Sequence, residues 1–268
     1  MNGLRPLPGL AVHCLNRTGE QTREQKAQAL QGKRLDCTEQ KRCAIIICKG
    51  LQEQEELSMQ ERRIKAVLFD MDGVLIDAKD WHYEALNRAL GLFGMEISRY
   101  DHLHTFDGLP TRVKLEMLSE GQFFPKALHG FINQLKQEYT AELIHQKCHP
   151  MFHHEYALSK LHSEGYKIAV CSNSIRATIE LMMDKAHLRE YLDLIVSNED
   201  VKKAKPDPEM YLTAMKRLGM RPEECIVVED NPNGVQAGVA SGAAVLEVAT
   251  VYDVNYENIM RKIKECQS

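Results

Sequence analysis

Asp70 and Asp72 stand two residues apart, directly behind the apolar run Ile64–Phe69 and just ahead of Gly73. Two carboxylates held that close repel each other unless a cation lies between them. If the run is a strand of an open parallel sheet, the pair sits at its carboxyl end, where such sheets bind ligands. Three more polar clusters bear the same relation to apolar runs. Ser172-Asn173-Ser174 follows Lys167–Cys171, and Lys205-Pro206-Asp207-Pro208 comes after Leu194–Val196. Glu229-Asp230-Asn231-Pro232-Asn233-Gly234 follows Cys225–Val228. Each cluster alone has a plainer account: an Asp/Gly turn, a Ser172 helix cap, a solvated Lys205, a turn at Glu229-Asp230. Chance does not readily supply all four in this order.

The elements that must position them can be read from the same runs. The four runs, together with Ala243–Val248, are short, rich in β-branched residues and nearly continuous, as strands covered on both faces should be. Helical stretches near 174–187, 207–218 and 232–241 separate the later ones. This alternation predicts an α/β fold, a Rossmann-like open parallel sheet with helices on both faces. Almost 100 residues separate the first two strands. Amphipathic stretches near 80–93, 110–119, 124–145 and 153–163 fill the gap. Most of it reads as an inserted all-helical cap at 79–148, leaving 63–78 and 149–268 as the core; the last of these helices is expected to return to that core.

The four motifs resemble the haloacid dehalogenase superfamily, in its branch with a helical cap between the first and second motifs. That branch includes phosphoglycolate-phosphatase-like and β-phosphoglucomutase-like enzymes. The resemblance covers about residues 64–250; Asn231, where many relatives have Ser, is a small departure. It implies an Mg²⁺-dependent phosphatase acting through an aspartyl-phosphate. Asp70 would be the nucleophile, and Asp72 the general acid and then base. Ser172 and Lys205 would hold phosphoryl oxygens, with Asn173 shaping that loop at the phosphate. Mg²⁺ would bind Asp70, the backbone carbonyl of Asp72, and Asp230, with Glu229 helping directly or through water. Elementary chemistry agrees. A carboxylate is ionised at neutral pH and needs no base, but it must approach an anionic phosphoryl group, and a divalent cation touching both lowers that barrier. Asp72 favours phosphoryl transfer over dehalogenation, because a halide needs no proton.

Within the cap, His82, Thr111 and Arg112 are the candidate substrate contacts, with Trp81 and Asp107-Gly108 beside them. Trp81 as cap core and Arg112 as a surface charge are the plainer readings. The histidine-rich stretch His145, His149, His153 and His154 is broken by Pro150 and reads as hinge or surface rather than zinc. The expected substrate is a small phosphorylated metabolite, a sugar phosphate being the leading case. The runner-up is a phosphomutase of the β-phosphoglucomutase type, and a non-catalytic sensor on the same fold stands third.

Composition fits this picture. The 268 residues are 44% hydrophobic and 27% charged, with a formal net charge of -4. Nothing global suggests nucleic acid or an anionic membrane, and no apolar run nears the ~20 residues of a spanning helix. Eight scattered cysteines without CxxC spacing predict reduced thiols in a cytoplasm, and a monomer or homodimer is expected. Residues 1–62, rich in Gln, Lys, Arg and Glu, read as a poorly ordered N-terminal extension. Residues 1–58 are expected to be dispensable, with Met59 as an alternative start. Cys43–Cys48 could be a lone strand there, and the sequon at Asn16 is read as chance.

Overall fold

The computed structural model describes residues 63–267 apart from 107 and 123. The expectations for the N-terminal extension therefore lie outside the described residues, as does Asp107. Five strands form one parallel sheet: β1 (Ala66–Phe69), β2 (Lys167–Cys171), β3 (Leu194–Val196), β4 (Cys225–Glu229) and β5 (Ala244–Glu247). Their order is β3-β2-β1-β4-β5. Chain progression reverses on the two sides of β1, which opens a crevice between β1 and β4 at their carboxyl ends.

The continuous apolar runs have their cause in this topology. Val67 and Phe69 of β1 point into one core layer, with Ile168, Val170, Ile226 and Val228 of its neighbours. Ala66 and Leu68 point into the opposite layer, with Ala169, Cys171 and Val227. A central strand with two buried faces has no position left for a polar side chain. The first layer is covered by α4 (Phe152–Ser163), α5 (Arg176–Lys185) and α8 (Tyr256–Gln267). The second is covered by α6 (Glu209–Leu218) and α7 (Pro232–Ala240). Helix α4 does return to the core. Helix α8 was not anticipated, although Tyr256, Ile259, Met260 and Ile263 carry the helical spacing and Ile259 and Ile263 are fully buried.

The long insert holds α1 (Lys79–Gly91), α2 (Thr111–Gln122) and α3 (His129–Lys147). The stretch read as one helix from 124 does not start until Pro125 has passed. A residue before proline is pushed out of helical geometry, and a single tight turn at Lys126–Leu128 leads into α3. Leu86, Leu90, Ile97, Phe106, Leu115 and Ile132 give the insert an apolar cluster of its own. Its roots are shared with the sheet: Ile144 is buried in the first core layer, and Trp81 and Cys148 pack against it. Trp81 is thus neither insert core nor a cavity contact.

Among the described residues no helix is long and apolar enough to cross a membrane, and Cys148, Cys171, Cys225 and Cys266 are free thiols. The histidine stretch needs one correction. His145 and His149 are exposed, but His154 is buried, and its ring lies 2.8 Å from the Val251 carbonyl that His153 also reaches. Burial pushes His154 down to about 4. An unfolded histidine titrates near ~6.5. Between those values the unfolded chain binds a proton that the folded chain refuses, so stability falls as pH drops through this window. The expected loss is about 2 kcal/mol between about pH 7.5 and about pH 5. Urea unfolding across that range measures it, and His154→Phe should flatten the part of the slope due to this ring.

Candidate active site

Asp70 directly follows β1, and its amide continues the ladder by donating to Val228 O at 3.0 Å. The loop beyond closes on itself. The amides of Leu75 and Ile76 donate to Met71 O, and that of Gly73 donates to Ile76 O. Met71, Val74 and Leu75 are buried beneath it, so half of the Asp70–Leu75 motif is there to root the loop. Gly73 has φ +90, and a Cβ there would stand 2.1 Å from Asp230 Oδ2. Both the turn and the space require glycine.

Lys205 reaches the floor of the site from the loop before α6. Its ammonium lies 2.6 Å from Asp70 Oδ1, 2.6 Å from Glu229 Oε1 and 2.8 Å from Cys171 O. Burial alone would lower Lys205, but Asp70 and Glu229 together raise it above its ordinary value, so it stays an ammonium. Burial, followed by the charge of Glu229, pushes Asp70 up, and Lys205 offsets only part of this. One ammonium between two buried carboxylates leaves room for more positive charge. Glu229 also accepts the Tyr211 hydroxyl, and its carboxylate rests on Gly234, where a Cβ would come within 2.0 Å. Its second oxygen accepts the Asp230 amide at 3.3 Å.

Asp70, Glu229 and Asp230 each offer an oxygen, all within 4.8 Å of one another. Such an all-oxygen set, with two glycines clearing the space around it, fits a hard divalent cation. The Asp72 side chain is not part of this group. It turns toward the insert, where Oδ1 lies 3.0 Å from His82 Nε2 and Oδ2 accepts Ser174 Oγ at 3.3 Å. Lys136 Nζ lies 3.1 Å from His82 Nδ1. Burial and Lys136 pull His82 below its usual range, so the ring is neutral. Lys136 donates to Nδ1 and Nε2–H donates to Asp72, which fixes the tautomer. Burial alone would raise Asp72; His82, Lys136 and Ser174 more than offset it and hold Asp72 low. Burial and neighbouring Lys114 bring Lys136 down to about 8.

Ser172 is buried at the end of β2, and its hydroxyl accepts the Ser174 amide at 3.1 Å, so a turn-capping role coexists with its place on the cavity wall. Asn173 is a fastener. Its side chain accepts the Lys205 amide at 3.2 Å and donates to Gly108 O at 3.2 Å. Asp70, Asp72, His82, Lys136, Ser172, Asn173, Lys205 and Glu229 border one cavity of about 770 Å³, together with Thr111 and Arg112. Arg112 stands at its rim, with an 80% exposed side chain paired to Glu116 one helical turn on. The plainer reading of Arg112 thus describes its contact, although it does line the cavity.

Lys79, Lys114, Lys136 and Tyr211 belong to the site and were not singled out from sequence. Lys79 pairs with Asp230 at 2.7 Å. Lys114 is buried in the cavity wall. Nothing in the sequence connects Lys136 to His82 across 54 positions.

Comparison with known proteins agrees with this architecture. A phosphorylated carbohydrates phosphatase of Thermotoga maritima is 30% identical over 219 residues, covering 75% of this chain and 99% of that protein. A phosphoglycolate phosphatase of Aquifex aeolicus is 29% identical over 180 residues, covering 67% of this chain and 82% of that protein. The crystal structure of a β-phosphoglucomutase from Clostridium difficile superposes with a TM-score of 0.66 at 24% identity, covering 75% of this chain and 98% of that one, a likeness of fold. Residues 67–248, most of the chain and all four motifs, match the haloacid dehalogenase-like hydrolases. By that match and by its phosphatase relatives, the chain belongs to the haloacid dehalogenase-like hydrolase family, as an enzyme of phosphatase type.

Proposed function

We propose that this chain is a magnesium-dependent phosphatase that hydrolyses a small phosphorylated metabolite through an aspartyl-phosphate on Asp70. The observation that carries the reading is the pair of differently equipped carboxylates: Asp70 against Lys205 and the acidic trio, Asp72 against His82 and Lys136. Asp70 and Asp230, with the backbone carbonyl of Asp72, would hold Mg²⁺, and Glu229 supports them from behind through Lys205. When bound, the ion supplies the positive charge that lets a carboxylate meet a phosphate.

Lys205 fixes the rotation of the Asp70 carboxylate, and an oxygen of that carboxylate forms the bond to phosphorus as the ester bond breaks. The leaving oxygen takes a proton from Asp72. Before that step Lys136 can pass a proton to His82 Nδ1 while Nε2–H passes to Asp72, so the acid is charged along a wire of three groups and is left as a carboxylate once the leaving oxygen has its proton. In the second step the Asp72 carboxylate takes a proton from the attacking water. Ser172 and Lys205 bind phosphoryl oxygens. Substrate choice falls to the insert. Thr111 and Arg112 sit at the cavity, but the buried Lys114 and the half-buried Lys136 are better equipped for an anionic or hydroxyl-rich leaving portion. A sugar phosphate fits, and the Thermotoga relative's name supports it.

Asp72→Asn tests the division of labour. With p-nitrophenyl phosphate, whose leaving group needs no proton, the variant should release a stoichiometric burst of nitrophenol and then stall for want of a base. With a sugar phosphate the burst should be absent and turnover should fall by about 10²–10⁴-fold. Steady turnover of both substrates at the wild-type rate would remove Asp72 from the chemistry. Phosphate release over a panel of sugar phosphates, glycolate phosphate and nucleotides identifies the substrate. Isomerisation without phosphate release would indicate the mutase.

A further inference from the structure

Lys79 is the first residue of α1, where the chain leaves the sheet domain for the insert. Its ammonium lies 2.7 Å from Asp230 Oδ2, with the Lys79 side chain 33% exposed and that of Asp230 only 2% exposed. The contact crosses bare backbone: a Cβ at Gly73 would meet Asp230 Oδ2 at 2.1 Å and Lys79 Cε at 2.8 Å. Two lysines thus serve the acidic trio, Lys205 at Asp70 and Glu229, and Lys79 at Asp230.

We propose that Lys79 is a built-in counter-cation that holds Asp230 in the metal-free enzyme and is displaced when a divalent cation binds there. The inference rests on the reading of Asp70 and Asp230 as the metal site. A buried carboxylate without compensation is costly, so the lysine's charge holds the Asp230 side chain in place before loading. An ammonium and a divalent ion on one carboxylate repel each other, so loading must break the pair. The two lysines differ in their ability to yield. Lys205 is almost fully buried with three acceptors, whereas Lys79 has a flexible stem already open to solvent. Metal affinity is therefore set partly by the side chain that vacates the site.

Calorimetric titration of Mg²⁺ alone, without substrate, into the wild type, Lys79→Met, Lys79→Arg and Asp230→Asn tests this. Lys79→Met should bind Mg²⁺ about tenfold more tightly than the wild type, having lost the competitor. Its melting temperature should be lower without Mg²⁺ and should rise further when Mg²⁺ is added. Lys79→Arg should stay close to the wild type. Equal or weaker binding by Lys79→Met overturns the proposal. Wild-type Mg²⁺ binding by Asp230→Asn overturns the metal-site reading instead, so the two failures are told apart.

Discussion

Asp70→Asn is expected to cut turnover at least about a thousandfold while leaving the fold in place. An amide is a poor nucleophile and a weaker metal ligand, yet it nearly preserves shape. Its oxygen can still accept the Lys205 ammonium that now sits 2.6 Å from Asp70 Oδ1. Removing a charge that burial and Glu229 both disfavour should leave the melting temperature unchanged or higher. Acid-quenched wild-type protein should carry phosphate that the variant lacks. Wild-type turnover in the variant, with deamidation excluded by mass spectrometry, would contradict the nucleophile assignment.

Lys205→Met should have a comparable effect on activity and a much larger one on stability. It strands the Asp70 and Glu229 carboxylates without their shared ammonium, and breaking such a buried set costs about 3–5 kcal/mol. Urea unfolding measures the loss. Adding Glu229→Gln to Lys205→Met should restore much of the stability, because the repulsion is gone, and none of the activity. If the double variant were no more stable than the single, the loss would come from packing around Tyr211, whose ring lies 4.8 Å from the ammonium.

The parts legible from sequence were those governed by short-range pattern. Ile64–Phe69 reads as a buried strand because every side chain of β1 enters one of two core layers, and the Asp70–Leu75 motif reads as a site because it directly follows that strand. The helical insert was legible from spacing. What escaped notice depends on distant pairing. Tyr211 is spaced like any apolar residue of α6, between Met210 and Ala214, and only the fold brings its hydroxyl to Glu229. Lys79 and Lys136 look like solvated helix charges until Asp230 and His82 are placed beside them. Arg112 looked the more useful cation of α2, but α2 turns it to the rim and Lys114, two positions on, into the wall.

The insert is joined to the sheet domain by two kinds of attachment. At its root, Trp81, Ile144 and Cys148 meet the first core layer through apolar contacts. Across the cavity the attachments are polar: Lys79 to Asp230, His82 to Asp72, Gly108 to Asn173. This is a greased pivot with a polar latch in which Lys79–Asp230 is the ion pair, since the His82 ring is neutral and Gly108 and Asn173 carry no charge. Salt screens exposed charges and reaches buried ones far less, whereas strongly hydrated ions such as sulfate strengthen apolar burial. Sulfate should therefore seat the pivot more firmly while leaving the latch, whose Asp230 side chain is 2% exposed, nearly as it was.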